Sequence, residues 1–430
     1  MIDFSAGTFK ANVPIKFWLE DRDNIEETCL KEAINVARMP FAKKHFALMP
    51  DCHASGHGMP IGGVLATKDV VIPNAVSNDI GCGVAFILTN IDADVLDIET
   101  NGQGTVNQSL VGQIMRDLPT GFEHKDPKDN INDTDIKELM SRYMHDDGTI
   151  GGIYKADAPR KLGSEVIDEA YEVIGTLGNG NHFLEFQKNE DNKLAIMVHT
   201  GSRSVGAKVN KYFNNKAKEL NEKWYVSTIS NNINMSFLPL DSDIGQQYMH
   251  WMQFALDVAR LNREKIMDLA ISKLDKLLSK HTNIDTGNVE YKYELNVHHN
   301  YADYENVFDT NYLVHRKGAV RARESDIIPI PGAMGYKSYI AKGKGNEKSF
   351  HSCSHGAGRK YTRTKAKEKF HVSEMIEDLN NQDIVFGKDD KSQAQDEYKK
   401  AYKNIDIVMS NQSDLVEPIE KLRTLSVIKG

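Results

Sequence analysis

The sequence predicts an α+β fold, with a single compact domain over residues 1–430 in which helices surround mixed β-sheets. Strand-like apolar runs and helical segments follow one another without the regular strand–helix–strand rhythm of a parallel α/β sheet. The longest helical pattern, over residues 245–280, places its apolar side chains in one stripe. Hydrophobic residues make up 40% of the 430 positions, which is ample for a large core.

Charge and cysteine content limit the class of protein. The net charge of −8 argues against a protein that coats nucleic acid or anionic membrane by bulk electrostatics, although it allows a local basic cleft. The first residues lack the pattern of a secretory signal, and no apolar run approaches the length of a membrane span. The four cysteines do not form the pattern of a disulfide framework. We therefore expect a cytoplasmic protein with reduced thiols.

The N-terminal elements surround a loop rich in polar residues. We expect a helix over 24–38, a hairpin over 61–73 and a buried strand over 84–88. The loop 48–63 could be a metal cluster or a rigid turn whose side chains bond to backbone. For its histidines we favour a role in positioning ligands or substrate over direct ligation. Its polar side chains, which lie among glycines, are Asp51, Cys52, His53 and His57.

Residues 77–83 form the first motif with its own chemistry. Asp79 and Cys82 lie three positions apart, and glycines at 81 and 83 let the backbone turn tightly beside the thiol. A carboxylate and a thiolate held close together suit a metal that accepts both oxygen and sulfur ligands. The motif therefore predicts part of a metal site.

Three histidines at strand–loop junctions are candidates to complete that site. A glycine-rich turn delivers Asn181 and His182 at the start of a strand, and His199 ends the β run that begins at Leu194. A further strand over 291–297 runs into His298 and His299. A bridging thiolate, a carboxylate and three imidazoles can hold two divalent ions of the manganese or zinc type. The candidate ligands are Asp79, Cys82, His182, His199 and His299.

The C-terminal half adds basic and glycine-rich segments. The cluster 313–323 is either a solvated face or, beside a metal site, a surface for a phosphate-bearing substrate. Residues 328–339 offer backbone N–H groups and small residues of the kind that line nucleotide pockets. Residues 349–363 place His355 in a glycine turn ahead of a basic segment. The remaining segments are expected to be linker, surface helix and loop over 100–160, charged helical surface over 366–410 and a short strand carrying Lys429 over 425–430.

Several long motifs, taken in order, resemble the RtcB family of RNA ligases. They extend from about residue 48 to the last residue and include A-V-S-N-D-I-G-C-G, G-N-H-F-L-E, H-T-G-S-R, H-H-N, H-R-K-G-A-V-R-A, P-G-A-M-G, S-C-S-H-G-A-G-R and I-K-G. The resemblance implies an enzyme, dependent on GTP and Mn²⁺, that joins RNA with a 3′-phosphate or 2′,3′-cyclic phosphate to RNA with a 5′-hydroxyl. It also implies a place in RNA repair or tRNA splicing.

The resemblance implies roles for individual residues. The five candidate ligands match the family's two-manganese site, with Cys82 bridging. His355 matches the histidine that becomes guanylated. Arg203, Arg359 and Arg363 would contact RNA phosphates. The positions that would hold GTP are Asn181, His182, Phe183, Leu184, Glu185, His299, Asn300, Pro331, Gly332, Ala333, Met334, Ser338, His355, Gly356, Ala357, Gly358 and Lys429.

Departures from the family pattern leave the substrate range open. Ala333 stands where the family's P-G-S-M-G pattern has serine, and residues 118–124 stand where the family has a G-V-G loop. A divergent, shorter member devoted to RNA repair fits these departures. Two alternatives remain open. A metal-dependent phosphoesterase acting on RNA ends would use the same ligands to activate water, but it leaves His355 and Lys429 unexplained. A non-enzymatic RNA-binding module would use the basic strand 315–323.

Overall fold

A computed structural model describes residues 1–56, 58–100, 102, 104–143, 160–226, 233–282 and 289–430. Its strands are β1 Ile2–Phe4, β2 Ile15–Phe17, β3 Phe46–His53, β4 Ile61–Thr67, β5 Val70–Val71, β6 Gly83–Asp92, β7 Phe183–Lys188, β8 Lys193–Thr200, β9 Leu238–Pro239, β10 Tyr291–His298, β11 Asn300–Val307, β12 Thr310–Lys317, β13 Ala319–Arg321, β14 Ile327–Ile330, β15 Ser338–Gly343, β16 Ser352–Ser354, β17 Val385–Gly387 and β18 Val416–Lys429. Its α-helices are Glu27–Ala37, Pro73–Val76, Val106–Asp117, Pro127–Ile131, Thr134–Ser141, Arg160–Val173, Ser204–Lys223, Asp243–His281, Arg363–Lys369, Val372–Asn380 and Ile405–Asn411.

The described strands form two main sheets. The six-stranded sheet runs in the order β1-β2-β3-β4-β12-β11, with β2 and β3 parallel and the other neighbours antiparallel. The larger sheet runs in the order β10-β6-β8-β7-β18-β15-β14 with antiparallel neighbours, and β17 pairs in parallel with β18. Mixed sheets with helices packed around them confirm the predicted α+β class.

The long helix Asp243–His281 packs against the larger sheet and confirms the predicted apolar stripe. Ser242 caps its first turn, because the serine hydroxyl accepts a hydrogen bond from the N–H of Gly245. Ile266 and Leu274 are buried in a core that they share with residues of β6 and β8, and each such side chain contributes roughly 1.5–3 kcal/mol by leaving water. The helix contacts β6, β8 and β10, the strands next to which the candidate ligands lie.

Strand pairing overturns one local prediction. Residues 61–73 do not form a hairpin, because β4 lies between β3 and β12 and β5 pairs with β9. The partners β9 and β12 come from distant parts of the chain, so no local turn signal reveals them. The predicted helix near 24–38 and the buried strand over 84–88 are confirmed by the helix Glu27–Ala37 and by β6.

Two segments expected to be linker or surface contribute to the core. The helix Val106–Asp117, within the polar stretch 100–160, begins with a capping box of Thr105 and Gln108 and buries Leu110 and Ile114. Residues 144–159 of that stretch lie outside the described ranges. The stretch 366–410 is also not surface throughout, since Glu397 is buried. No helix in the described ranges has both the length and the apolar character needed to cross a membrane.

Candidate functional site

Adjacent strands of the larger sheet bring the five candidate ligands together. Cys82 directly precedes β6, and the pairing of β6 with β8 places Val84 opposite His199. His182 directly precedes β7, the other neighbour of β8. His299 follows β10, and its N–H donates to the carbonyl of Cys82 over 2.8 Å. Strand order, not distance along the chain, assembles the site.

The turn that carries Asp79 and Cys82 depends on Gly81. This glycine has φ +75°, and a Cβ added there would lie 2.8 Å from the Cβ of Ala259 in the long helix. Glycine avoids both the strained backbone and the clash. The N–H of Cys82 donates to the carbonyl of Asp79 over 3.2 Å, which closes the turn and keeps the acid and the thiol together.

Cys82 is shared by two groups of potential ligands. One group is Asp79, Cys82 and His182, the other is Cys82, His199 and His299, and the ligand atoms of each lie within 4.8 Å of one another. The Cys82 Sγ lies 3.6 Å from Nε2 of His182 and 3.4 Å from Nε2 of His199. The Asp79 Oδ2 lies 3.1 Å from Nε2 of His182. Two adjoining sets with a common sulfur fit two divalent cations bridged by one thiolate.

Backbone carbonyls orient two of the imidazoles. The Nδ1–H of His182 donates to the carbonyl of Leu177 over 3.0 Å, and that of His199 donates to the carbonyl of Asn181 over 3.1 Å. Both Nε2 lone pairs are therefore left for the space around the thiol, as in metal-ligating histidines. Burial lowers the pKa of His199 and of His299 well below the usual value. Their imidazoles are neutral, which is the form that binds a metal ion.

The thiol of Cys82 and the imidazole of His299 are both costly to bury without a metal ion. Burial, followed by the nearby Asp79, raises the pKa of the Cys82 thiol well above its usual range. The Nδ1 of His299 is buried and has no hydrogen-bond partner among the described residues. A divalent cation would relieve both costs, because it favours the thiolate and accepts a nitrogen lone pair. The residues present fit a metal centre.

A buried arginine joins the segments that carry the ligands, and no sequence pattern signalled it beyond its place in an apolar stripe. Arg263, in the long helix, donates from Nη1 to the carbonyls of Gly81 and Thr200 over 2.8 and 2.9 Å. Its Nη2 donates to Nδ1 of His298 over 3.0 Å and its Nε to Oδ1 of Asn296 over 2.7 Å. Burial lowers its pKa to about 10, so the guanidinium stays charged at neutral pH.

His355 lies between the ligand groups and a cavity. It follows β16, and its ring centroid is 4.7 Å from that of His299. Its Nδ1 lies 2.6 Å from Oδ2 of the fully buried Asp51, and its backbone N–H donates to the same oxygen over 3.2 Å. The contact is an ion-pair distance without hydrogen-bond alignment, since Nδ1 of His355 has no hydrogen-bond partner among the described residues. A carboxylate beside Nδ1 can hold an imidazole so that Nε2 acts as a nucleophile. In the sequence, Asp51 was visible only as one polar residue of a glycine-rich loop.

A cavity of about 360 Å³ opens beside His355, and its size suits a nucleotide. Residues from segments far apart in the chain line it. Those that were expected to bind GTP are Asn181, Phe183, Glu185, Pro331, Gly332, Ala333, Met334, His355, Gly356, Ala357, Gly358 and Lys429.

Other residues expected to bind GTP lie behind the cavity wall. The Ser338 hydroxyl accepts a hydrogen bond from the N–H of Gly332 over 3.0 Å and so shapes the wall from outside. The Asn300 amide donates to the carbonyl of Asp79 over 2.9 Å, which supports the ligand turn. Leu184 packs into a hydrophobic core. His182 and His299 belong to the ligand groups and do not line the cavity.

Glu397 organises the charged side of the cavity. Lys429 Nζ and Arg359 Nη1 lie 3.0 and 3.1 Å from its carboxylate oxygens, and the Tyr402 hydroxyl donates to it over 2.6 Å. Burial alone would raise the pKa of Glu397, but Lys429 and then Arg359 lower it to about 2. The expectation of plain charged surface over 366–410 is wrong here, because Glu397 supplies a cavity wall. Arg359, expected at RNA phosphates, is paired with this carboxylate.

A second buried carboxyl in the cavity wall, that of Glu185, has a raised pKa, whereas the pKa of Glu397 is lowered. Burial raises the pKa of Glu185 to about 7. Its Oε2 accepts hydrogen bonds from Gln187 over 2.6 Å and from Thr424 over 3.1 Å. The Glu185 carboxyl is therefore poised between its neutral and charged forms near neutral pH.

The other two arginines expected at RNA phosphates lie beside glycines. Arg203 donates from Nη2 to the carbonyl of Gly121 over 2.8 Å. The Arg363 guanidinium packs against Gly180, where an added Cβ would lie 2.1 Å from Nη2. The segment 118–124, which departs from the family pattern, therefore contacts an arginine near the candidate ligands.

The basic cluster 313–323 does not form a free surface for phosphates. Arg316 is fully buried and pairs with the buried Glu305, and Arg321 pairs with Asp326 over 3.0 Å. The prediction of a substrate surface is wrong for these arginines, because acids from a neighbouring strand and turn neutralise them. The alternative of an RNA-binding module on this strand loses its basis with them.

The loop histidines stand apart from the ligand groups. His53 lines the cavity, and its Nδ1–H donates to the carbonyl of Asp51 over 3.0 Å. Burial lowers the pKa of His53 to about 4. It is not among the grouped ligand atoms. His57 lies outside the described residues.

Comparison with known proteins gives one consistent result. The family described as "tRNA-splicing ligase RtcB" matches residues 32–430. The chain is 36% identical over 426 residues to the RNA-splicing ligase RtcB of Escherichia coli (strain K12), and the aligned region covers 97% of this chain and 98% of that protein. It is 31% identical to the tRNA-splicing ligase RtcB of Nanoarchaeum equitans, with 98% and 96% covered, and 27% identical to that of Thermococcus kodakarensis, with 94% and 92% covered.

Proposed function

The chain belongs to the RtcB family, and on that premise we propose that it is an RNA ligase dependent on GTP and Mn²⁺. It would join RNA ends that carry a 3′-phosphate or a 2′,3′-cyclic phosphate to ends that carry a 5′-hydroxyl. The physiological role would be RNA repair or tRNA splicing in the cytoplasm.

One observation carries the proposal: the His355 ring lies 4.7 Å from that of His299, which shares a ligand group with Cys82, and it faces a nucleotide-sized cavity. A phosphoesterase that activates water at the metal centre gives no reason for a held imidazole at this position. A nucleotidyl transfer through histidine needs both.

In the proposed first step, Nε2 of His355 attacks the α-phosphorus of GTP. A phosphorus–nitrogen bond forms, the bond to the bridging oxygen breaks and pyrophosphate leaves. Asp51 holds the imidazole through Nδ1 during this attack. Two Mn²⁺ ions held around Cys82 would neutralise the charge of the triphosphate. Glu185 and Lys429, both in the cavity wall, are proposed to hold the guanine.

In the later steps the guanylate passes from His355 to the RNA 3′-phosphate. The 5′-hydroxyl oxygen of the second strand then attacks this activated phosphorus, and GMP leaves. Arg203, Arg359 and Arg363 are proposed to hold the RNA phosphates, with Arg359 exchanging part of its contact with Glu397 for a phosphate.

The test is incubation with α-labelled GTP and Mn²⁺, followed by ligation of RNAs with defined ends. A covalent label that is present in the parent and absent from His355→Ala supports the proposal, provided that broken RNAs are then joined. Hydrolysis of RNA ends without any label on the protein would support a metal-dependent phosphoesterase instead. A protein that takes no label under any condition is not a ligase of this kind.

A further inference from the structure

A cationic patch with an aromatic ring lies at the mouth of the cavity. Lys360 and Tyr361 line the cavity directly after the loop that carries His355, and Lys365 and Lys369 extend the patch along the following helix. The three lysines are exposed and the ring is half-exposed. Together these four residues form the rim cluster, which consists of Lys360, Tyr361, Lys365 and Lys369.

Three neighbours hold the Tyr361 ring in place. Phe370 packs against it edge-on, with ring centroids 5.9 Å apart. Lys369 Nζ lies 4.4 Å from the ring centroid and donates to the phenolic oxygen over 2.8 Å, and Lys360 Nζ lies 5.7 Å from the centroid. Cations within about 6 Å of a ring centroid are attracted to it. The aromatic ring is therefore fixed at the rim, with two like charges gathered on it.

Neighbouring acids do not neutralise the rim cluster. Within the ranges that the structure describes, no carboxylate oxygen lies within 4.0 Å of the ammonium groups of Lys360, Lys365 and Lys369. Nearby Lys400, by contrast, pairs with Glu374. In a chain with a net charge of −8, a group of unpaired lysines at a cavity mouth favours an anionic ligand at that place.

Single-stranded RNA is the ligand class that matches a ring and cations together. Proteins that bind single strands combine aromatic side chains, on which bases stack, with cations that contact phosphates. An acidic protein segment would be attracted by the lysines, but it gains nothing from the ring or from continuity with the cavity.

We propose that the rim cluster binds the nucleotides next to the reacting RNA end, with one base stacked on Tyr361 and backbone phosphates at the three lysines. The proposal rests on the proposed function, because a reacting RNA end in the cavity would lead its own strand across the rim.

The test measures RNA binding apart from guanylation. The variants are Tyr361→Ala, Tyr361→Phe and the triple variant Lys360→Ala/Lys365→Ala/Lys369→Ala. The matched control is Lys400→Ala, which removes an exposed lysine that has a carboxylate partner. Fluorescence anisotropy with a short single-stranded RNA carrying a 3′-phosphate gives the affinity over a range of KCl concentrations. Thermal unfolding of each variant identifies any that fails to fold, and Tyr361→Phe keeps the ring if Tyr361→Ala does fail.

Tyr361→Ala is expected to weaken RNA binding about 5- to 150-fold, the range for loss of one base–aromatic stack. The RNA affinity of Tyr361→Phe should stay within about 2-fold of the parent's, because the stacking face is intact. The affinity of the control should also stay within about 2-fold, because its rim cluster is intact. The triple variant should lower the slope of log affinity against log salt by about 2, at about 0.7 for each lost phosphate contact.

Parental affinity and salt dependence in both Tyr361→Ala and the triple variant would overturn the proposal. A second outcome would also overturn it: the parent binds a polyglutamate peptide more tightly than RNA, and the triple variant loses this binding. That result would assign the rim cluster to an acidic protein partner. Guanylation of the parent is assayed separately. If no guanylate forms, the ligase mechanism fails, while the RNA affinities still decide the rim cluster.

Discussion

Asp51 and His355 lie in contact where β16 packs beside β3, with the carboxylate Oδ2 2.6 Å from the imidazole Nδ1. Asp51 lies in β3, whereas His355 follows β16, so a sheet residue sets the orientation of a loop histidine. The Oδ1 of Asp51 is buried without a hydrogen-bond partner among the described residues. The Nδ1 of His355 is likewise buried without a hydrogen-bond partner in the described part of the chain, and unpaired buried polar atoms cost free energy, which makes this contact a candidate for a functional role.

Asp51→Asn should therefore slow guanylation of the protein by about 10²–10⁴-fold, because an amide holds the imidazole in the wrong tautomer or not at all. The measurement is the initial rate of label incorporation from α-labelled GTP. Asp69→Asn, at an exposed carboxylate away from the cavity, is the control and should keep the parental rate. A parental rate in Asp51→Asn would show that this contact does not orient the nucleophile.

Cys82→Ala should abolish binding of both metal ions, because its Sγ belongs to both ligand groups. His182→Ala should first weaken the binding of one of the two ions, since that imidazole belongs to only one ligand group. Titration calorimetry with Mn²⁺ gives the stoichiometry for each protein. Cys353→Ala removes a buried thiol outside both groups and should still bind as the parent does. Two ions bound by Cys82→Ala would exclude a bridging thiolate.

Arg263→Met should lower the free energy of unfolding by about 2–6 kcal/mol, because the carbonyls of Gly81 and Thr200 each lose a buried donor at about 1–3 kcal/mol. Urea unfolding monitored by circular dichroism measures this change. Arg260→Met is the matched control on the same helix. Arg260 is exposed and contacts Glu264 at 3.7 Å, so its loss should cost less than about 1 kcal/mol. Equal effects of the two substitutions would contradict a special role for Arg263.

Glu397 should make the protein less stable in acid. Its folded pKa of about 2 lies below the ordinary value of 4.5, so its ionised form stabilises the fold above about pH 4.5. That contribution, roughly 3 kcal/mol, is lost as the pH falls from about 4.5 toward 2. Urea unfolding at pH 7 and at pH 3 should show a smaller difference for Glu397→Gln than for the parent. An unchanged difference would mean that Glu397 does not keep its charge in the folded protein.

Side-chain chemistry and short-range periodicity by themselves determined much about this protein. The apolar stripe over 245–280 predicted the long helix, because helical periodicity is a local property. The pairing of an acid and a thiol at Asp79 and Cys82 predicted metal ligands, because the preference of a metal for oxygen, nitrogen and sulfur depends on residue type alone. The motifs around them also indicated the family to which the chain belongs.

Long-range pairing decided the rest. The sequence could not show that β4 lies between β3 and β12, because strand partners are chosen by a sheet register that joins distant segments. For the same reason it could not show that Glu305 neutralises Arg316, or that Arg263 reaches two ligand-bearing segments. A charge in a sequence has no fixed partner until the fold supplies one. The candidate ligands Asp79 and Cys82, and a bridging role for the thiol, were therefore predictable from the sequence, while the Asp51 behind His355 required the tertiary structure.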